Sequence, residues 1–359
     1  MKKPVKVVSA PGRICLFGEH SDYIGLPVIT MAMNLRLTIL AFPRRDKKFQ
    51  MVMPDIEAKE SFTPSAPLRY TKERDYLRAA VNVLKRRGFK FPKGYDFLMQ
   101  SQIPINSGAS SSSAMVVAWI KMLLSLQNHE IEFNPLEIAS LAFETEVLEF
   151  KEAGGRMDHF AISMGELIYL ENHKTTDIWF LGDVVCGIVL GDSLERKETV
   201  QNLKVNKRDV FTGLKVIKKK MKRFDVEKMP VKEILKHFSP KTDLLKKAIA
   251  TLKNRDITHE ALQELVMRPF QNPQKIGKLM SQHHKHLRED LKISTPKIER
   301  MIEASLSAGA LGAKIHGSGL GGTMIAYAPG REKQVAKAIE REGGKPYLVH
   351  QDRGIIKHL

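Results

Sequence analysis

Pro11-Gly12-Arg13-Ile14-Cys15-Leu16-Phe17-Gly18-Glu19-His20-Ser21-Asp22-Tyr23 is the stretch on which the reading of this 359-residue chain turns. Arg13, Glu19, His20 and Asp22 fall within ten residues of one another, between the apolar Val5–Ser9 and the strand-like Leu35–Phe42. A surface turn does not require that density of ionisable groups. Carboxylates and an imidazole hold sugar hydroxyls well, because each accepts or donates several hydrogen bonds. A charged hairpin loop is the plainer alternative. On either reading, residues 10–25 are expected to form a loop between two strands, with Cys15 a packed thiol.

Two further segments join it. Pro104-Ile105-Asn106-Ser107-Gly108-Ala109-Ser110-Ser111-Ser112-Ser113-Ala114 runs into Met115–Leu126, where Val116, Trp119, Ile120 and Leu123 share a helical face. Small residues entering a helix expose backbone N–H groups at its positive end, a site suited to phosphate. Serine hydroxyls there donate to phosphate or sit on magnesium, and they also serve as ordinary helix caps. No Gly-Lys-[Ser/Thr] follows the glycine, so this is not a Walker A loop. Gly154-Gly155-Arg156-Met157-Asp158-His159-Phe160 places an aspartate at an expected helix start, as a cap or as a base near a substrate hydroxyl. Gly317-Ser318-Gly319-Leu320-Gly321-Gly322 allows close backbone approach to a ligand. It precedes the strand-like Met324–Ala328 rather than following a strand, so the dinucleotide fingerprint does not fit.

The remaining elements frame these segments. Leu77, Ala80, Val81 and Leu84 predict a helix over Arg74–Arg87. Asn134-Pro135-x-Glu137 starts another by a capping box, extending to about Phe150. Met157–Met164 reads as helix, Glu166–Glu171 and Val184–Leu190 as strands, and residues 206–306 as mainly helical and Lys-rich, with a boundary near 175–190. No apolar run reaches the roughly 18–20 residues of a membrane helix. The start of the chain lacks a secretory apolar core, and Cys15 and Cys186 cannot build a disulfide framework, so a reducing cytoplasm is expected. The net charge of +18 invites a nucleic-acid reading. The excess is spread along the chain, and its densest run, Lys215–Arg223, suits a solvated helix face, so nucleic acid is not the expected partner. His283, His284 and His286 do not share one helical face and read as a surface or interlobe helix.

Taken in order, PGRICLFGEHSDY, PINSGASSSSA, GGRMDHF and KIHGSGLGGTMIA resemble the GHMP kinases, the family of galactokinase, homoserine kinase, mevalonate kinase and phosphomevalonate kinase. GEHSDY and GGRMDHF look most like galactokinase signatures, since mevalonate kinases usually follow the GEH with an apolar stretch. The segment from Ser294 through GALGAKIHGSG reads closer to mevalonate kinase. The resemblance implies an α+β, two-lobed GHMP kinase fold. Its N-terminal ribosomal-protein-S5-like lobe (1–180) would carry the ATP and sugar-contact loops, and its C-terminal ferredoxin-like α/β lobe (181–359) the glycine-rich segment. It implies transfer of the ATP γ-phosphate, with Mg2+, to a small sugar or polyol, in the first place the anomeric hydroxyl of galactose or a related sugar. A mevalonate-type, uronic acid or pentose kinase is the alternative, and a non-catalytic sugar and ATP sensor is the rival from another class.

Carried onto this chain, the resemblance makes Asp158 and Arg13 the catalytic pair and Ser112 and Glu146 the magnesium positions, Glu146 lying twelve residues before Asp158. Pro104, Ser107, Gly108, Ala109, Ser110, Ser111, Ser112 and Ser113 match the nucleotide loop. Arg13, Glu19, His20, Asp22, Gly155 and Asp158 match the substrate contacts. Arg13 near Asp158 favours the aspartate anion, making it a weak base and an orienting acceptor. Two departures stand out. Val205 replaces the tyrosine that lines the galactokinase sugar site, and the loop reads Gly-Ala-Ser-Ser-Ser-Ser rather than Gly-Leu-Ser-Ser-Ser-Ala.

Overall fold

The computed structural model describes residues 3–359 apart from 66, 106, 128–132, 172–175, 196–198 and 267–271. Strands β1 (Lys6–Phe17), β2 (Val28–Pro43), β3 (Phe49–Met53), β4 (Ala58–Phe62), β5 (Tyr95–Ser101), β6 (Leu167–Glu171) and β7 (Asp177–Phe180) form one sheet. Strands β8 (Ile188–Asp192), β9 (Gly312–His316), β10 (Thr323–Tyr327) and β11 (Lys345–Val349) form a second, and the short β12 (Ile356–Lys357) returns to pair with β1 in the first. The helices are α1 (Tyr76–Arg86), α2 (Ser111–Ser125), α3 (Pro135–Phe143), α4 (Met157–Met164), α5 (Thr199–Lys220), α6 (Val231–Leu235), α7 (Asp243–Val266), α8 (Pro273–Glu289), α9 (Pro296–Ser307) and α10 (Glu332–Arg341).

The central strand of the first sheet is β2. It pairs antiparallel with β1 along one edge; on the other edge its first residues pair with β6 and its last with β5. This corrects the expected loop at residues 10–25. Strand β1 continues through Pro11-Gly12-Arg13 to Phe17, with register shifts at Pro11/Gly12 and between Cys15 and Phe17. The first shift falls at a proline, which has no N–H to give the ladder. Only residues 18–27 lie outside the two strands, with a short 3-10 turn over Asp22–Ile24. Helix α2 also begins earlier than its apolar face indicates, at Ser111, so that three serines form its first turn.

The second sheet has the order β11-β8-β10-β9, antiparallel throughout, with α5–α9 between β8 and β9 and α10 between β10 and β11. That is the βαββαβ pattern of a ferredoxin-like lobe, and the fold class is the α+β, two-lobed arrangement. Met301 of α9 and Ile339 of α10 pack on Val189, Ile315 and Met324 of this sheet. A larger apolar cluster passes from one sheet to the other, from Ile14, Met31 and Trp119 to Leu190, Leu279 and Ile325. The carboxyl-terminal side of α3 widens into a π-helical turn over Glu144–Leu148, closed by Glu149 N–H to Glu144 O at 2.9 Å. Such turns re-aim side chains, and this one carries Glu146.

Candidate active site

The outer edge of β1 loses its strand partner beyond Ser9, where β12 ends. Backbone groups buried there must be satisfied by other means. Arg13 N–H donates to Ala109 O (3.4 Å), Cys15 N–H to His316 Nε2 (3.1 Å) and Gly18 N–H to His283 Nε2 (3.2 Å), while Lys314 Nζ donates to Cys15 O (3.1 Å). The nucleotide-loop segment, β9 and α8 are thereby fixed to one strand edge, and a cavity of about 280 Å³ opens beside it.

Arg13 is buried and Asp158 lies at the start of α4. Arg13 Nε and Nη2 both reach Asp158 Oδ1 at 2.8 Å, and Ser110 Oγ donates to Oδ2 at 2.8 Å. Burial alone would lift the Asp158 carboxyl, but Arg13, His159 and the Ser110 hydroxyl outweigh it and hold it below the usual range. Arg13 Nη1 also donates to Gly108 O at 2.7 Å.

Gly108 (φ 94°) and Ser110 (φ 59°) turn the loop into α2. Ser110 occupies the cap position yet makes no side-chain cap bond, because its hydroxyl is spent on Asp158. The first amide of the helix to find a carbonyl is Ala114 N–H, at Ser110 O (2.9 Å). The N–H groups of Ser111, Ser112 and Ser113 precede that bond, at the positive end of the helix. Gly108 and Ser110–Ser113 line the cavity. Pro104, Ser107 and Ala109 stand behind it: Ser107 Oγ donates to Pro104 O (2.8 Å) and Ala109 O receives the Arg13 amide.

Glu19, His20 and Asp22 line the same cavity as Asp158. Glu19 is ion-paired with the buried Lys314, and its Oε1 has no hydrogen-bond partner. His20 Nε2 donates to the Ser318 carbonyl (3.1 Å), so Nδ1 is the acceptor facing Tyr23 Oη (3.3 Å). Asp22 is lifted to about 6, by burial first and the charge of Asp158 second. Gly155 is required beneath it, since a Cβ there would fall 2.2 Å from Asp22 Oδ2. Val205 does not line the cavity; Leu203, two residues earlier on α5, does.

Ser112 and Glu146 face the same cavity. His159 Nε2 lies 2.7 Å from Glu146 Oε2. Among the described residues no group of three or more His, Cys, Asp or Glu could hold a metal by itself. One carboxylate and a hydroxyl nevertheless suit magnesium, which keeps waters and takes substrate phosphates as further ligands.

The sequence reading missed His159, His316 and the wall formed by Arg74, Tyr76 and Glu152. In that wall Arg74 Nη2 pairs with Glu152 Oε2 (2.6 Å) and Tyr76 Oη donates to Oε1 (2.9 Å). Little local marks these residues: Glu146 lies 13 positions from His159 and Arg13 lies 303 from His316, although Thr323 is only seven from His316. His283, His284 and His286 take separate partners at Gly18, Ile315 and Asp290.

Models of the GHMP kinases N terminal domain and GHMP kinases C terminal match residues 75–166 and 258–345. The mevalonate kinase of Thermococcus gammatolerans is 30% identical over 358 residues, covering 96% of this chain and 95% of its own. The chain belongs to the GHMP kinases. This GHMP kinase also matches the galactokinase galactose-binding signature over residues 1–43. The galactokinase of Glaesserella parasuis is 25% identical, covering 94% of this chain and 88% of its own. The crystal structure of Lactococcus lactis galactokinase complexed with galactose superposes with a TM-score of 0.85 at 25% identity, covering 98% of this chain and 94% of that one. The protein is therefore an ATP-dependent phosphotransferase with an alcohol group as acceptor. No helix among the described residues is long and apolar enough to cross a membrane.

Proposed function

We propose that this GHMP kinase phosphorylates a hydroxyl of a small neutral sugar, the anomeric hydroxyl of galactose or a close relative. The observation that carries the reading is Asp22, a carboxylate seated on Gly155 and facing the cavity beside Asp158. Glu19, ion-paired with Lys314, adds a second carboxylate to the lining of the same cavity. Acceptors in these positions suit a ligand with several hydroxyls. A substrate carboxylate would meet Asp22 and Asp158 instead. Arg13, Arg74 and Lys314 are already paired to carboxylates, and Lys207, near Asp22, donates to Ala153 O and lies over the Tyr23 ring.

In this reading the acceptor hydroxyl donates to Asp158, whose low pKa makes it an orienting acceptor that takes the proton late in the transfer. Arg13 keeps the carboxylate ionised and adds positive charge beside the loop. The amides of Ser111–Ser113 bind nucleotide phosphate. Ser112 and Glu146 would hold Mg2+, which neutralises phosphate charge when bound.

ADP release from Mg-ATP tests this across galactose, glucose, galactosamine, arabinose, galacturonate and mevalonate. Turnover on galactose or a neutral epimer is expected, with Asp158→Asn lowering kcat on the order of 10²–10⁴-fold. The 30% identity to a mevalonate kinase makes mevalonate the competing substrate. Turnover on mevalonate and on no sugar would overturn the substrate, and full turnover by Asp158→Asn would overturn the role of that residue.

A further inference from the structure

His316, the last residue of β9, is fully buried, and its ring lies between Arg13 and Thr323. Its Nε2 faces Arg13 Nη1 at 3.0 Å and Cys15 N–H at 3.1 Å. Both of those groups are donors, so Nε2 must present its lone pair and the ring proton sits on Nδ1. Nδ1 then donates to Thr323 Oγ1 at 2.9 Å, and the Thr323 hydroxyl donates onward to Ser107 O at 2.9 Å. The polarity runs one way, from the Arg13 guanidinium through His316 and Thr323 to a carbonyl of the nucleotide loop.

The loop is held at two more points by the same assembly. Gly108 O accepts from Arg13 Nη1, and Ser110 Oγ donates to Asp158. Three nearly consecutive loop residues, Ser107, Gly108 and Ser110, are thus tied to Thr323, Arg13 and Asp158. His316 is the member that joins the Thr323 branch to the Arg13 branch. It comes from the C-terminal sheet, whereas Arg13 and Asp158 come from the N-terminal half.

We propose that His316 is a positioning residue for phosphoryl transfer: as the Nδ1–H tautomer, it fixes the Arg13 guanidinium relative to Asp158 and registers both against the nucleotide loop. It touches neither substrate. It acts through the acceptor at Nε2 on Arg13 and through the donor at Nδ1 on Thr323. The proposal rests on the reading of Asp158 and Arg13 as the reaction centre given above.

The two ring nitrogens can be tested separately. In His316→Gln the amide oxygen reaches the position of Nε2 and can accept from Arg13 and Cys15. In His316→Asn the shorter amide reaches only the position of Nδ1, so Thr323 keeps a donor while Arg13 loses its acceptor. Steady-state kinetics with Mg-ATP and the best sugar of the panel should show kcat for His316→Asn lowered on the order of 100-fold, with KM values changed little. His316→Gln should stay within about tenfold of the parent, because it preserves the orientation of the arginine. Thr323→Val leaves the contact to Arg13 and frees Ser107 O, so it should raise KM for ATP more than it lowers kcat.

Thermal melts of every variant separate positioning from folding. Equal losses of kcat in the Gln and Asn variants, each tracking a matching fall in Tm, would overturn the proposal, as would a His316→Asn enzyme of normal kcat. If Asp158→Asn itself turned over normally, the reading beneath would fall. If Asp158→Asn is inactive while His316→Asn is normal, only this inference fails.

Discussion

Asp22 shows how one side chain can report on the sugar side of the cavity. Burial and the charge of Asp158 raise its pKa to about 6, against the opposing pull of Arg13, the Tyr23 amide and Lys207. The folded protein therefore resists ionising it. This contribution to stability is complete below the ordinary carboxylate value and is lost as the pH rises through about 6. Sugar recognition runs the other way, because only the carboxylate offers all its lone pairs to hydroxyl donors. Since kcat/KM reports ionisations of the free enzyme, kcat/KM for the sugar should fall below pH 6, approaching tenfold per unit. The value of kcat should hold over the same range, because Asp158 stays ionised well below it. Asp22→Asn isolates the contribution of this carboxyl. That variant should show a lowered kcat/KM without the step near 6, and a pH profile identical to the parent would remove Asp22 from sugar binding.

At the scale of elements, the site depends on how closely α8 approaches β9. A Cβ on Gly277 would lie 2.3 Å from Leu311 O, and one on Gly312 would lie 2.0 Å from Gly277 O. Helix and strand thus meet backbone to backbone, and this holds His283 against the Gly18 amide and His284 against the Ile315 amide. Gly277→Ala must push the helix away, and a loss of about 1–3 kcal/mol is expected in urea denaturation. An unchanged midpoint would show that α8 can shift without cost. The same scale shows what the sequence disclosed. Helix α3 was legible because its signal is local: Asn134 accepts from Glu137 N–H and Glu137 answers the Asn134 amide. Helix α4 has no side-chain cap, and its start is marked in the sequence by the Gly154-Gly155 pair before it. The start of α2 was not legible, because the polar serines of its first turn carry no apolar period. The sequence of β1 reads as a shorter strand because a charge at Arg13 argues for a loop. Its tolerance inside a strand depends on Asp158 and His316, which lie 145 and 303 residues away. The motifs point to Arg13, Asp158 and Ser110, which the structure brings together; the same motifs also hold His159 and His316, whose contacts with Glu146 and Arg13 come from tertiary packing.

Over the whole molecule, the two sheets share one apolar cluster and one buried charge pair. Lys314 on β9 and Glu19 just beyond β1 are both almost fully sequestered, and Lys314 also holds the Cys15 carbonyl. Removing one member of such a pair leaves an uncompensated charge in a low dielectric, at a cost of about 3–5 kcal/mol. Lys314→Met should lose that much stability in guanidinium denaturation, and adding Glu19→Gln should recover part of it by discharging the orphaned carboxylate. The continuity of the core also fixes the form of the transition. Both tryptophans, Trp119 and Trp179, belong to the first lobe, whereas α5–α9 are inserted in the second. Tryptophan fluorescence therefore follows the first lobe, whereas far-ultraviolet circular dichroism, to which α1–α4 also contribute, is weighted toward the longer helices of the second. Their transitions should coincide in the parent and shift together in Lys314→Met, as expected of one cooperative unit. If the tryptophan signal held its midpoint while the helical signal moved, the lobes would be unfolding separately, and the Lys314–Glu19 pair would be serving the second lobe alone.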